Sequence, residues 1–202
     1  MRVKISTTNS KLGLIPSVNL PPIESCRKDC PCSSDCYALK GRYRFKNVKE
    51  THKRNLQAYL DDPKQYFDDI YRAINNGIII YSYFRWHASG DIVDKNYLTG
   101  MFDLARRLPT TSFLVFTKKF ELVNEYVATN DVPANLNIVF SAWDKDFKLD
   151  NPHNFPVAYI KFPDEERNTA IPLDAIECSG DCTHCLRCWD ICRGQSVVFH
   201  KH

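Results

Sequence analysis

Apolar residues along this chain switch repeatedly between a period of two and a period near 3.6, which is the signature of strands alternating with helices. Val3 to Thr7 alternates weakly as a first strand. A segment containing Pro16, Pro21 and Pro22 then leads into a cysteine loop, which runs into a predicted helix from about Tyr37 to Leu60. Asp61-Asp62-Pro63 reads as a helix start, with an acidic cap and proline in the first turn. Tyr66, Phe67, Ile70, Tyr71 and Ile74 follow at helical spacing as far as Asn75-Asn76-Gly77. The β-branched and aromatic run from Ile78 to Trp86 predicts a strand that ends at His87-Ala-Ser-Gly-Asp91. Tyr97, Leu98, Met101, Phe102, Ala105 and Leu108 mark the next helix. The cycle repeats as the strand Ser112 to Phe116, the turn Thr117-Lys-Lys119 and a helix through Val123 and Val127. A strand from Leu136 to Phe140 then runs into Ser141-Ala-Trp143, and short strands are expected at Val157 to Phe162 and Val197 to Phe199.

Such alternation implies right-handed βαβ units around a parallel sheet. The expected fold class is α/β, a partial (βα) barrel of about six mainly parallel strands, too few for a complete eight-fold barrel, with a cysteine-rich C-terminal cluster-binding segment. Two parts are expected: residues 1–170 as the barrel with an N-terminal cysteine loop, and residues 171–202 as a metal-binding segment packed on it. Ligands of parallel α/β proteins sit beyond the carboxyl ends of the strands. The functional rim should therefore consist of the first cysteine loop, Ser89-Gly90-Asp91, Thr117-Lys118-Lys119 and Ser141-Ala142-Trp143.

Composition changes this picture chiefly through cysteine. All nine cysteines fall in two tight groups, Cys26/Cys30/Cys32/Cys36 and Cys178/Cys182/Cys185/Cys188/Cys192, with none between. Thiolates crowd together in this way when they surround a metal centre, whereas core or disulfide cysteines are dispersed. The 202 residues, 44% hydrophobic and 25% charged, suffice for one well-buried domain. A net charge of +3 is too mild on its own to argue for nucleic acid or a membrane. The segment Met1-Arg-Val-Lys-Ile-Ser-Thr-Thr lacks the apolar stretch of a secretory signal, and the longest apolar run, around Ile78 to Phe84, is too short to span a bilayer. A soluble, cytoplasmic protein is expected, in a reducing compartment that favours metal-bound thiols.

The C-terminal group, from Cys182 to Cys192, has the C-x2-C-x2-C-x3-C spacing of bacterial-type ferredoxin loops, which lets each sulfur reach a different iron. Arg193 stands where those loops usually carry proline, and in two-cluster ferredoxins the fourth cysteine serves the other cluster. Cys178 and Cys192 are then alternative candidates for the fourth ligand. His184, inside the loop, is expected to lie outside the ligand set. The N-terminal group is C-x3-C-x-C-x3-C followed by Tyr37. If four thiolates bind, the site is closed; if three bind a four-iron cluster, one iron stays open. A structural zinc clip competes with both, since thiolates suit zinc as well.

Read as a whole, the chain resembles the radical S-adenosylmethionine superfamily: a partial barrel, a cysteine loop between strand and helix with an aromatic beside its last cysteine, and a Gly-Gly-Glu-like motif ending the second strand. Here Tyr37 follows Cys36 instead of preceding it, the usual C-x3-C-x2-C spacing is absent, and Ser89-Gly90-Asp91 replaces Gly-Gly-Glu. Through Cys32-x3-Cys36-Tyr37-Ala38, Arg85-Trp86-His87-Ala88-Ser89-Gly90-Asp91 and Cys185-x2-Cys188-Trp189, nearly the whole chain is also similar to the phage gene product 88 family, which would place it in the cytoplasm of a bacterial host. The first resemblance implies two four-iron clusters, S-adenosylmethionine as cofactor, an electron donor as partner, and a cofactor site drawn from Ser89, Gly90, Asp91, Lys118 and Ser141. In that site Asp91 would receive the ammonium of the methionyl end, and Lys118 or Arg85 would steady its carboxylate. No catalytic residue is assigned.

Blander roles stand beside these. His87 serves equally as a hydrogen-bonded structural residue, and Asp91 and Asp94 as helix caps. Arg42, Arg44, Lys46, Lys49, Lys53 and Arg54, interleaved with Tyr43 and Phe45, make either a basic aromatic face for nucleic acid or a solvated helix face. No Walker loop, Rossmann fingerprint, zinc-protease helix or nucleophile elbow occurs. Three classes remain: a radical enzyme, a two-cluster redox or structural protein, and a zinc-stabilised binding module.

Overall fold

The computed structural model describes residues 2–7, 9–76, 81–143, 146 and 148–201. Eight strands form one sheet: β1 (Ile5–Ser6), β2 (Ser17–Val18), β3 (Tyr83–Trp86), β4 (Ser112–Thr117), β5 (Leu136–Ser141), β6 (Val157–Lys161), β7 (Ile176–Glu177) and β8 (Ser196–His200). Their order is β1-β2-β3-β4-β5-β6-β8-β7, and every pairing is parallel except β1 with β2. The protein is thus mixed α/β with a mostly parallel sheet, and the barrel is not closed, because β1 and β7 are free edges.

The count of about six strands is corrected to eight. The additions, β2 and β7, are two residues long and carry no readable alternation. The strand that feeds the first cysteine loop is β2, inside the Pro-rich segment; the alternating start of the chain supplies the antiparallel edge β1 instead. The strand expected from Ile78 begins at Tyr83, and Ile78 to Ile80 lie outside the described residues.

Among the described residues six α-helices accompany the strands: α1 (Lys46–Asp61), α2 (Pro63–Ile74), α3 (Lys95–Arg107), α4 (Phe120–Val127), α5 (Cys182–Cys185) and α6 (Arg187–Asp190). The helix expected from Tyr37 starts as an α-helix only at Lys46. Residues 37–39 and 41–44 form separate 3-10 turns, divided at Lys40, whose extended backbone is followed by Gly41 at φ +52°. Asp62 caps α2 by accepting the Gln65 N–H at 3.0 Å, with Pro63 in the first turn as expected. Asp94 caps α3 through the Tyr97 N–H at 2.8 Å.

Neighbouring parallel strands that follow sequence order, joined by crossovers of one hand, leave their helices on one face. The successive packing of α1 on α2, α2 on α3 and α3 on α4 matches that layer. Phe84, Trp86, Phe113, Val115, Ile138 and Phe140 alternate toward it and form the main core with Phe67, Tyr97 and Phe102. Residues of opposite parity, Leu114, Val139, Ala158 and Val197, face the other way and are covered by Leu12, Trp189 and Ile191.

That second face is concave. Phe116 of β4 and Phe199 of β8 have ring centroids 5.6 Å apart, although β5 and β6 lie between their strands. The gap on the open side is filled by chain rather than by strand pairing. The Cys182 N–H donates to the Lys11 carbonyl at 2.9 Å, and a Cβ at Gly13 would lie 2.6 Å from the Thr183 side chain. Residues 171–202 also supply β7 and β8 to the sheet.

Candidate metal centres

The first cysteine group lies over the carboxyl ends of the strands because polar contacts from three of them grip its loop. Tyr37 donates its hydroxyl to the Ala88 carbonyl after β3 at 2.6 Å, and Tyr43 does the same at 3.2 Å. Arg27 donates to the Lys118 carbonyl after β4 at 3.2 Å. Asp35, between Cys32 and Cys36, pairs with Lys40 and with Lys201 just after β8. These cations, Lys201 foremost, hold the Asp35 carboxyl down at about 2.

Ser89-Gly90-Asp91 is the seat of this loop. The Ser89 hydroxyl donates to the Leu20 carbonyl at 3.0 Å, and the Leu20 N–H donates back to the Ser89 carbonyl at 3.0 Å. Gly90 sits at φ +85°, where a Cβ would come within 2.5 Å of Ser25 Oγ and 2.8 Å of Leu20 Cβ, so both its conformation and its neighbours demand glycine. Asp91 does not cap α3. Its carboxylate accepts from the Ile92 N–H at 2.8 Å, the Thr117 hydroxyl at 2.6 Å and the Lys118 N–H at 3.0 Å. Burial raises its pKa against the pull of those three donors.

Charge is ordered around the thiols. Burial and then the facing Asp91 carboxylate push Cys26 up to about 11, with smaller contributions from Cys30 and Cys36. Cys30 Sγ and Cys32 Sγ are 3.2 Å apart. The shared hydrogen bond raises Cys30 and lowers Cys32, and the Lys118 ammonium favours the thiolate at Cys30, Cys32 and Cys36. Lys118 also points toward the Trp143 ring, with Nζ 6.0 Å from its centroid. Ser141, half-buried, ends β5 beside Ala158.

The second group lies against the concave face of the sheet. Cys178, Cys182, Cys185 and Cys188 line one recess together with Trp189. Cys192 is not among its lining; it is exposed, and its thiol faces the Asp190 carbonyl. His184 is also exposed and turned to Asp181 at 2.6 Å. The segment turns sharply at Leu186, φ +50°, between α5 and α6. It is pinned by Asn137 of β5, whose amide donates to the carbonyls of Cys188, Trp189 and Ile191 at 3.0, 3.3 and 2.9 Å. Trp189 is buried, and its indole N–H donates to the Phe84 carbonyl at 3.2 Å. Burial pushes Cys188 up to about 11, opposed by Arg85.

Arg85 stands between the two groups. Its guanidinium lies 4.0 Å from the Phe116 ring centroid, Nε donates to the Trp86 carbonyl at 3.0 Å, and its charge is felt by Tyr37 and Tyr43 on one side and by Cys182 and Cys188 on the other. His87 is fully enclosed: Nε2 meets the Tyr97 hydroxyl at 3.0 Å, and burial lowers its pKa to about 3.

Sequence reading placed Thr117 on the rim but passed over Ser25 and Asn137. Ser25 is adjacent to Cys26, so proximity in the chain was a usable signal for it. Asn137 acts on residues more than fifty positions away, and nothing in its neighbourhood marks it.

Among the described residues, no three or more His, Cys, Asp or Glu side chains close tightly enough to hold a single metal ion, and no helix is long and apolar enough to cross a membrane. Neither a curated protein nor a solved structure matches the chain. The family model described as Gene product 88 matches residues 3–198, nearly the full length, and the chain belongs to that family.

Proposed function

We propose that this protein carries two iron-sulfur clusters and reductively cleaves S-adenosylmethionine at the first of them, a four-iron cluster on the Cys26–Cys36 loop. The observation that carries this reading is the placement of that loop at the carboxyl edge of a curved parallel sheet, a partial barrel, with the Asp91 carboxylate facing Cys26 and the Lys118 ammonium facing the other thiols. The donor sets, all thiolate, with the C-x2-C-x2-C-x3-C spacing of ferredoxin loops in the second group, suit a multi-iron core. With Cys26, Cys36 and either Cys30 or Cys32 as ligands, three thiolates hold the cluster and one iron stays open for a cofactor.

A bound cluster would supply the electron that breaks a carbon–sulfur bond of the sulfonium. The chain orients the cofactor. Among the described residues Asp91 Oδ2 accepts only the Lys118 N–H, so it retains acceptor capacity for an ammonium, while the Lys118 side chain can pair with a carboxylate. The second recess, with Cys178, Cys182, Cys185 and Cys188 as ligands, serves as an auxiliary centre and the entry point for an electron donor.

The test is anaerobic purification and reconstitution, followed by reduction in the presence of S-adenosylmethionine. Iron with acid-labile sulfide and formation of 5'-deoxyadenosine, abolished in Cys26→Ala and Cys36→Ala, are expected. Colourless protein with stoichiometric zinc would overturn the iron assignment. A fully loaded, reducible protein that forms no 5'-deoxyadenosine would make it a two-cluster redox or structural protein instead.

A further inference from the structure

The surface flanking the first cysteine loop differs from the rest of the molecule. Between Tyr37 and Arg54 the chain holds seven lysines and arginines and one acid, Glu50, a net charge of +6 in a protein whose total is +3. The remainder is therefore net acidic, and the basic charge is concentrated here. Arg42, Arg44 and Lys49 are exposed, and none pairs with an acid among the described residues. Lys46, Lys49 and Lys53 recur along one side of α1, whose opposite side is buried through His52, Asn55 and Tyr59.

Exposed apolar surface gathers in the same place. Tyr37 is 49% exposed, Leu39 45% and Phe45 58%, three of the seven large hydrophobic side chains left open among the described residues. A surface that is merely solvated would not carry two open aromatic rings among its cations. The Tyr37 ring is also held: its hydroxyl is tied to Ala88, and its edge packs on Tyr43 at 5.9 Å. The fixed Tyr37 ring and the open Phe45 ring, beside unpaired cations, form a stacking platform along a positive track, the arrangement by which single-stranded nucleic acids are bound without sequence preference. We infer that residues 37–54 bind single-stranded nucleic acid, with bases stacked on Tyr37 and Phe45 and phosphates on Arg42, Arg44 and the lysine row of α1. Because Tyr37 adjoins Cys36, a strand on this track passes the first cysteine group. The inference stands on the surface alone and does not require the cluster chemistry.

The test measures fluorescence anisotropy of 5'-labelled dT20 and rU20 titrated with the full chain between 50 and 200 mM salt. Saturable binding that weakens with salt is expected. Combining Arg42→Glu, Arg44→Glu and Lys49→Glu should weaken it more than tenfold and reduce the salt slope by about 2, since each phosphate contact on a single strand contributes about 0.7. Phe45→Ala, which removes the exposed ring and keeps the backbone bonds that start α1, should weaken it about tenfold. Lys64→Glu on α2 should leave it unchanged, and circular dichroism of all variants should overlay. No saturable binding at 50 mM salt, or equal affinity for the triple variant, would overturn the inference. So would competition by polyglutamate as effective as by unlabelled dT20 together with an inert Phe45→Ala, which would assign the surface to an acidic protein partner.

Discussion

Phe116 and Phe199 meet edge to face with their ring centroids 5.6 Å apart, across two intervening strands. Three strand spacings in a flat sheet amount to about 14 Å, so this contact exists only because the sheet rolls up. The roll gives the sheet an inside, and Arg85, Asn137 and the second cysteine segment occupy it. Removing either ring should therefore act on the curvature itself. Phe116→Ala also strips the surface on which Arg85 rests. Each of Phe116→Ala and Phe199→Ala should cost about 2–3 kcal/mol in denaturant unfolding, toward the low end for truncated aromatics because both rings are only partly buried.

Gly90 is the tightest point under the first cysteine loop. Gly90→Ala places a methyl against Ser25 and Leu20 at a positive φ, and should lower stability by about 2 kcal/mol or more. Because Leu20 and Ser25 must give way, the loop should loosen with it. Faster alkylation of Cys26 and Cys30 in the metal-free variant, followed by mass spectrometry, checks this; unchanged rates would separate the glycine from the loop.

Asn137 shares two amide hydrogens among three carbonyls of the second cysteine segment. Asn137→Ala removes the donors and leaves those carbonyls without them, at a cost of about 1–3 kcal/mol. The effect should be local. Amide hydrogen exchange should accelerate across residues 182–192 and remain slow in β4 and β5; uniform acceleration would contradict it.

Cys192 lies outside the recess that Cys178, Cys182, Cys185 and Cys188 line. Cys192→Ala should retain the iron of the reconstituted protein, whereas Cys178→Ala should lose about half of it, as expected for one of two four-iron clusters. Iron and sulfide assays distinguish the two. The reverse pattern would restore the ferredoxin-type ligand set.

His87 is held neutral by burial, with its pKa lowered to about 3 against an ordinary value of 6.5. The unfolded chain then binds the extra proton first, so the contribution of this group to stability is complete above pH 6.5 and is lost as the pH falls toward 3. The loss should approach about 1.4 kcal/mol per pH unit within that window. Urea midpoints measured from pH 7.5 to 4.5 should fall more steeply for the native chain than for His87→Gln, which cannot take up the proton.

Much of the architecture was legible because helices and long strands write their burial into the chain. The apolar faces of α2 and α3, the caps Asp62 and Asp94, and the strands β4 and β5 all appear as periodicity or punctuation. The two-residue strands β2 and β7 do not, since so short a segment has no period, and their pairing is decided by the strands beside them. Local reading also ran the helix α1 back to Tyr37, where the turn at Lys40 and Gly41 breaks it and leaves Tyr37 turned toward Ala88.

The division of the cysteines into two groups belongs to the sequence by itself, since spacing within a short loop is a local property. Three further matters were settled only by tertiary structure: that Asp91 and Lys118 face the first group, that Cys178 rather than Cys192 joins the second recess, and that Arg85 lies between them. Each depends on how far the sheet curls and on which residues distant in the chain meet across it. Curvature is a sum of many side-chain contacts such as Phe116 with Phe199, and no single stretch of sequence encodes it.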